Sequence, residues 1–202
     1  MQKLILALVF GSAAAFVPPH VSRAAGATAR AAATLDDAPG AGFGVDMGVW
    51  DPFNILNGLT PAQTAYFREA EVKHGRVAML ASVGFLVAEK FHPLFGGAIA
   101  APSYVAFQAT PLQTFWPLVV LAIGAVEVQS GAIGSFKTPE EGMWELKESH
   151  EMGDLGFDPL GLKPANADGF KSMQTKELNN GRLAMLAIAG MVAQECATGL
   201  QL

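Results

Sequence analysis

Three stretches of the chain are apolar over helical lengths, and stretches rich in Gly, Pro and Asp separate them. The first runs from about Pro61 to Lys90, the second from about Pro111 to Phe136 and the third from about Gly169 to Thr198. Thr60 stands where an N-cap belongs, with Pro61 at the first helical position. Each segment reaches the ~20 residues that cross a bilayer, which predicts an all-α membrane protein with three transmembrane helices. The polar positions complicate that expectation. The first segment carries Arg68, Glu69, Glu71, Lys73, His74 and Arg76 ahead of the apolar run Val77 to Ala88, and an apolar run of about 10 to 14 residues is, on hydropathy alone, more often a buried soluble helix.

An internal repeat gives those polar positions a meaning. At an offset of 106, EVKHGRVAML (71–80) matches ELNNGRLAML (177–186) at six of ten positions. Upstream, Trp50-Asp51-Pro52-Phe53 is echoed by Phe157-Asp158-Pro159-Leu160 at an offset of 107, so a turn and a helix recur together. The pattern predicts that the first and third helices cross about a pseudo-twofold axis, with the second helix outside the repeat.

Within each repeat the acid and the arginine are five residues apart, Glu71 to Arg76 and Glu177 to Arg182. That spacing is a rotation of about 140°, whereas pairs within one helix prefer spacings of three or four. Each Glu is therefore placed to meet the Arg of the other helix, Glu71 with Arg182 and Glu177 with Arg76. An unpaired charge inside a membrane costs at least ~2.5 to 3.5 kcal/mol, so the reciprocal pairing is strongly favoured. Gly75, Ala78, Gly181 and Ala184 supply the small residues that a close crossing needs.

His74 follows Glu71 by three residues, and Asn180 holds the same place in the repeat. The two residue types share the ability to present a neutral lone pair to a metal. Gln194, about 21 Å further along the third helix and nearly on the same face, offers another amide oxygen. A magnesium ion ringed by a porphyrin-type macrocycle needs one such axial donor and accepts oxygen or nitrogen. A Glu held by an arginine can still offer its second oxygen. On residue type alone, His74 also reads as a packed core residue, Asn180 as an interhelical hydrogen bonder and Gln194 as a surface residue. Met79 and Met185 read as core packing.

Composition agrees with a membrane protein. Of 202 residues, 51% are hydrophobic and 15% charged, where soluble domains carry about 25% charged residues. The net charge of −5 gives no basic surface for nucleic acid. Cys196 is the single cysteine, so neither an internal disulfide nor a CxxC pair exists.

The N-terminus reads as two addresses in series. Lys3, the apolar run Leu4 to Phe10 and the small residues Gly11 to Ala15 have the form of a secretory signal. Phe16 to Ala33 contains arginines and no acid, as in a plastid or mitochondrial transit peptide. We expect residues 1–33 to be removed, leaving a three-helix domain over 34–202. That cut removes three basic residues and no acid, taking the net charge from −5 to −8. Such a pair of signals, joined at AAAFVPP, resembles the leaders of plastids enclosed by extra membranes.

Glu-x-x-His-x-Arg in one helix and Glu-x-x-Asn-x-Arg in another, each followed by Ala-Met-Leu and preceded by an Asp-Pro turn, resemble the light-harvesting chlorophyll-binding protein superfamily. The EVKHGRVAML form and the leader are similar to its fucoxanthin chlorophyll a/c-binding branch. The resemblance implies chlorophyll ligands at Glu71, His74, Glu177, Asn180 and Gln194, with Arg76 and Arg182 holding the glutamates. It also implies Glu127 as a ligand in the second helix, with Gln129 as a nearby substitute. Asp51 and Asp158 then sit in turns that hold carotenoid end groups, with Trp50 and Phe157 beside them. The family's final amphipathic helix with its ligand histidine has no counterpart before Leu202. His92 is a weak ligand candidate, and His150 a loop residue.

The implied function is a multi-pass thylakoid antenna that binds chlorophyll a, chlorophyll c and fucoxanthin or a related carotenoid. It would pass excitation to a photosystem I or II core, in contact with other antenna subunits and thylakoid lipid. The sequence has no HExxH, phosphate loop or triad arrangement, and no enzymatic step is expected. A photoprotective, energy-dissipating member of the same superfamily is the second expectation, and the acids Glu89, Glu140, Glu141, Glu145, Glu148 and Glu151 are unassigned between the two. A small transporter using intramembrane ion pairs is the third, although three helices leave little room for a pathway.

Overall fold

A computed structural model describes residues 38–41, 49, 51–56, 58–97, 99, 101–109, 111–137, 146–147 and 150–201. The leader, Trp50 and the acids Glu140, Glu141, Glu145 and Glu148 lie outside the described residues. Helix α1 spans Pro61–Lys90, the short α2 Ser103–Ala106, α3 Leu112–Glu127 and α4 Ala167–Thr198. A π-helical stretch, Val128–Ser135, continues α3. The described chain is thus mostly helical.

The ends of the helices follow local chemistry. Thr60 caps α1 as a reciprocal box: its Oγ1 accepts from Gln63 N at 3.3 Å and its own N–H donates to Gln63 Oε1 at 2.9 Å. Pro61 takes a position whose N–H has no intrahelical partner. Helix α4 ends on Gly199, whose φ of 66° lets its N–H reach back to Glu195 O at 2.8 Å.

Helices α1 and α4 cross on one narrow stripe. Val72, Gly75 and Ala78 are buried on α1, and Leu178, Gly181 and Ala184 on α4, so the two stripes match position by position at the offset of 106. The other faces carry exposed large apolar side chains, among them Val77, Leu80, Val83, Leu183 and Leu186. In water such a surface would be unfavourable by about 25 cal/mol for each Å².

Helix α3 has no buried residue. Leu112–Ser130 is long and apolar enough, by length and composition, to cross a membrane. Helices α1 and α4 have the length at 30 and 32 residues but, with their central charges, lack an equally apolar window.

Two glutamates related by the repeat anchor α2 at the far end of the crossed pair. Glu89 Oε1 accepts from Ser103 N and Oγ at 3.3 and 3.2 Å, and Glu195 Oε2 accepts from Tyr104 N at 2.9 Å. They satisfy N–H groups at the start of α2 that have no intrahelical acceptor. Glu195 is wholly buried.

Candidate functional site

The four charges at the crossing pair between helices. Arg182 Nε lies 2.7 Å from Glu71 Oε1, and Arg76 Nε lies 2.6 Å from Glu177 Oε1. Each arginine also donates to a backbone carbonyl in a turn ahead of a long helix: Arg182 to Gly40 O at 2.8 Å and Arg76 to Gly153 O at 2.7 Å. These two turns close on matching hydrogen bonds, Ala41 N to Ala38 O and Asp154 N to Glu151 O. Both glycines have positive φ, 69° and 73°, which an L-residue with a Cβ adopts at a cost.

The correspondence extends through the turns. Gly40 N donates to Thr175 Oγ1 of α4 at 3.2 Å, and Gly153 N donates to Glu69 Oε2 of α1 at 2.8 Å. Thr175 stands at the repeat position of Glu69. The Glu69 side chain, 3% exposed, also lies 3.2 Å from His150 Nε2. His150 is therefore a packed partner of α1 as well as a loop residue. The glycine turns were not legible in the sequence, because at their offset of 113 Ala-Pro-Gly-Ala and Glu-Met-Gly-Asp share only the glycine.

His74 and Asn180 are fixed in the same way. His74 Nδ1 lies 2.7 Å from Ala70 O, and Asn180 Nδ2 donates to Lys176 O at 2.8 Å. In each case the donor is taken up by the carbonyl four residues earlier, on the same helix face. A hydrogen bond at Nδ1 sets the tautomer that leaves Nε2 with its lone pair, and the amide leaves Oδ1. Both side chains are exposed.

The glutamates differ. Glu177 Oε2 makes no hydrogen bond among the described residues, whereas Glu71 Oε2 accepts from Arg68 Nη1 at 3.1 Å. Arg68 also bonds Pro39 O. A carboxylate oxygen has two acceptor sites, so both glutamates retain capacity for a metal. Glu177 and Asn180 face a shared cleft of about 490 Å³ with Met79, Ser82, Ala184 and Ala187 on its walls. Val83 and Leu183 complete an apolar lining on which Ser82, Ala184 and Ala187 are the small side chains.

Asp51 and Asp158 organise equivalent loops. Asp51 accepts from Ile55 N at 3.0 Å and Leu56 N at 2.8 Å; Asp158 accepts from Leu162 N and Lys163 N at the same two distances. Their oxygens are thus bonded to their own loops. Phe53 and Phe157 beside them are 83% and 85% exposed.

The remaining candidates lie apart from the crossing. Glu127 ends α3 and pairs with Lys73 of α1 at 2.6 Å. Gln129 is exposed in the π-helical stretch, and Gln194 is exposed near the end of α4. His92 Nδ1 lies 3.1 Å from Ala88 O, just past the end of α1.

The donor set of neutral His and Asn lone pairs with charge-compensated carboxylates fits the axial side of magnesium tetrapyrroles. Over most of its length the chain is similar to known chlorophyll-binding proteins. The family model for chlorophyll A-B binding protein matches residues 33–196. A fucoxanthin-chlorophyll a-c binding protein of Isochrysis galbana is 47% identical over 158 residues, 76% of this chain and 74% of that protein. A light-harvesting complex stress-related protein 3.2 of Chlamydomonas reinhardtii is 48% identical over 153 residues, 73% of this chain but 59% of that protein. A chlorophyll a-b binding protein of Petunia hybrida is 29% identical over 161 residues, 74% of this chain and 58% of that protein. The chain belongs to the light-harvesting chlorophyll-binding superfamily, with fucoxanthin-chlorophyll proteins among its near relatives.

Proposed function

We propose that the protein is a thylakoid antenna with three membrane-spanning helices, α1, α3 and α4, in which α1 and α4 cross about a pseudo-twofold axis. The observation that carries this reading is the shared state of His74 and Asn180, each with its donor tied to the carbonyl four residues back and its lone pair free. In this reading Glu71, His74, Glu177, Asn180, Gln194 and Glu127 ligate chlorophyll magnesium, and Arg76 and Arg182 hold the two central glutamates. The cleft lined by α1 and α4 takes a carotenoid, and the Asp51 and Asp158 loops hold carotenoid end groups. The exposed apolar faces of the three helices are then covered by pigment and lipid.

Bound chlorophyll and fucoxanthin supply the absorption and the excited state. The chain's own work is geometric. The glycine contact sets the distance between α1 and α4, the ion pairs set their register, and the i−4 hydrogen bonds set the direction of each lone pair. Excitation is passed to a photosystem core through neighbouring antenna subunits. Reconstitution of residues 34–202 with chlorophyll a, chlorophyll c and fucoxanthin tests the reading. Two variants, His74→Ala and Asn180→Ala, should each lose chlorophyll and change the pigment circular dichroism. Native helicity without any bound pigment would overturn it.

A photoprotective role is favoured by a different observation. Glu195 is fully buried, its Oε1 has no hydrogen-bond partner among the described residues, and Glu89 of α1 caps the same start of α2 beside it. Two neighbouring carboxylates can take up a proton and alter the seating of α2. Chlorophyll fluorescence lifetimes that shorten from pH 7.5 to pH 5 in the wild type, and do not in Glu195→Gln, would support quenching. Equal lifetimes at both values would favour harvesting alone.

A further inference from the structure

The repeat changes residue type at several positions of the polar stripe, and at one of them the charged side chain reaches α3. Lys73 of α1 corresponds at the offset of 106 to Asn179 of α4. Lys73 Nζ lies 2.6 Å from Glu127 Oε2, linking α1 to α3, while Asn179, among the described residues, makes a 3.4 Å contact with Arg182 of its own helix. The charged version of the position thus occurs on the helix that α3 approaches.

Glu127 needs a cation from elsewhere. Between Lys90 and Lys137 the chain contains no Lys or Arg, and Glu127 is the single acidic residue in that interval. Helix α3 cannot neutralise its own carboxylate. Nor does it lean on the crossed pair by packing, since none of its residues is buried. Glu127 Oε1 makes no hydrogen bond among the described residues. The arrangement matches that of Glu177: one oxygen on a cation from another helix, the other free.

We propose that Lys73 is the positioning residue of a ligand site built across α1 and α3, holding Glu127 by Oε2 so that Oε1 serves as axial donor to the magnesium of a chlorophyll-type tetrapyrrole. The inference rests on the antenna reading above. Its physical basis is charge. An ionised ligand on a lipid-facing helix is unfavourable unless a cation accompanies it, and a neutral ligand carries no such requirement. Lys73 therefore matters only while residue 127 is ionised.

Reconstitution with chlorophyll a, chlorophyll c and fucoxanthin tests this with Lys73→Met, Lys73→Arg, Glu127→Ala and the double variant Lys73→Met/Glu127→Gln. The readouts are chlorophyll per polypeptide, pigment circular dichroism and far-ultraviolet helicity. Lys73→Met and Glu127→Ala should each lose about one chlorophyll per polypeptide at unchanged helicity, and Lys73→Arg should retain it. The double variant should bind as the wild type does, because an amide oxygen ligates without a counter-charge. Full occupancy in Lys73→Met or Glu127→Ala would overturn the proposal. So would a double variant as depleted as Lys73→Met, which would leave Lys73 a tie between helices only. A wild type that takes up no chlorophyll would overturn the antenna reading itself.

Discussion

Gly75 and Gly181 meet backbone to backbone: a Cβ on Gly75 would lie 3.0 Å from Gly181 Cα, and one on Gly181 would lie 2.9 Å from Gly75 Cα. Neither neighbour can move aside without moving its helix. Gly to Ala raises helix propensity by about 1 kcal/mol in an unstrained helix, so the direction of the effect is diagnostic. Gly75→Ala or Gly181→Ala should be net destabilising, within the ~1 to 3 kcal/mol typical of overpacking. Gly84→Ala and Gly190→Ala, where a Cβ meets nothing within 4 Å, should be neutral or stabilising. Thermal melts of the reconstituted protein compare the four.

The ion pairs between α1 and α4 should behave as a coupled unit. Arg76→Gln leaves Glu177 charged and unpaired, and Glu177→Gln does the converse, each exposed to a membrane cost of roughly 2.5 to 3.5 kcal/mol. The double variant removes both charges. Its destabilisation should be smaller than the sum of the singles by about 0.5 to 3 kcal/mol, the range for directly bonded partners. Additive losses would mean that the 2.6 Å contact contributes nothing specific.

The reciprocal pairs were legible because two glutamates and two arginines recur at one offset with a spacing that a single helix cannot satisfy. The shared place of His74 and Asn180 was legible for the same reason, but the hydrogen bond each makes to the carbonyl four residues back was not, since any carbonyl on the helix face is the same in sequence. Lys73 with Glu127 was not, since nothing repeats it and the partners are 54 residues apart in different helices. Arg68 on Glu71 was likewise hidden, because Gln174 at its repeat position has no charge to signal a shared role. Pairing of Glu69 with His150 depends on a turn whose one diagnostic residue, Gly153, is among 22 glycines in the chain.

That turn supports a third prediction. A Cβ on Gly153 would stand 3.0 Å from both Arg76 Nη2 and Val72 Cγ1, and one on Gly40 would stand 2.8 Å from Leu178 Cδ1. Positive φ adds about 1 to 2 kcal/mol for a residue with a Cβ. Gly153→Ala should therefore weaken the Arg76–Glu177 side, and Gly40→Ala the Arg182–Glu71 side. The chlorophyll lost on reconstitution should differ between them, with the Glu177 site affected in the first and the Glu71 site in the second. Identical losses would show that the turns do not act on separate halves.

Acid should loosen the loop ahead of α4 before it affects the helices. N–H donation from Lys163 and Leu162 holds the Asp158 carboxyl below the usual carboxylate range. The Lys163 ammonium, 2.5 Å away, and the Gly156 N–H do the same for Asp154. A group whose pKa is depressed in the fold contributes stability that is fully present above its unfolded value, near 3.9, and is lost as pH falls through the folded value. Amide exchange at Gly156, Leu162 and Lys163, corrected for intrinsic rates, should therefore be constant from pH 8 to about 5 and should accelerate below about 4. Asp154 in turn raises the Lys163 ammonium above its ordinary value, so that partner stays charged throughout this window. In Lys163→Met the Asp154 carboxyl returns toward its ordinary range, and the Gly156 amide should open at a higher pH than in the wild type. The Leu162 amide, bonded to Asp158, should keep its wild-type onset. A common onset for both amides in that variant would show that the two aspartates titrate as one loop and not through separate partners.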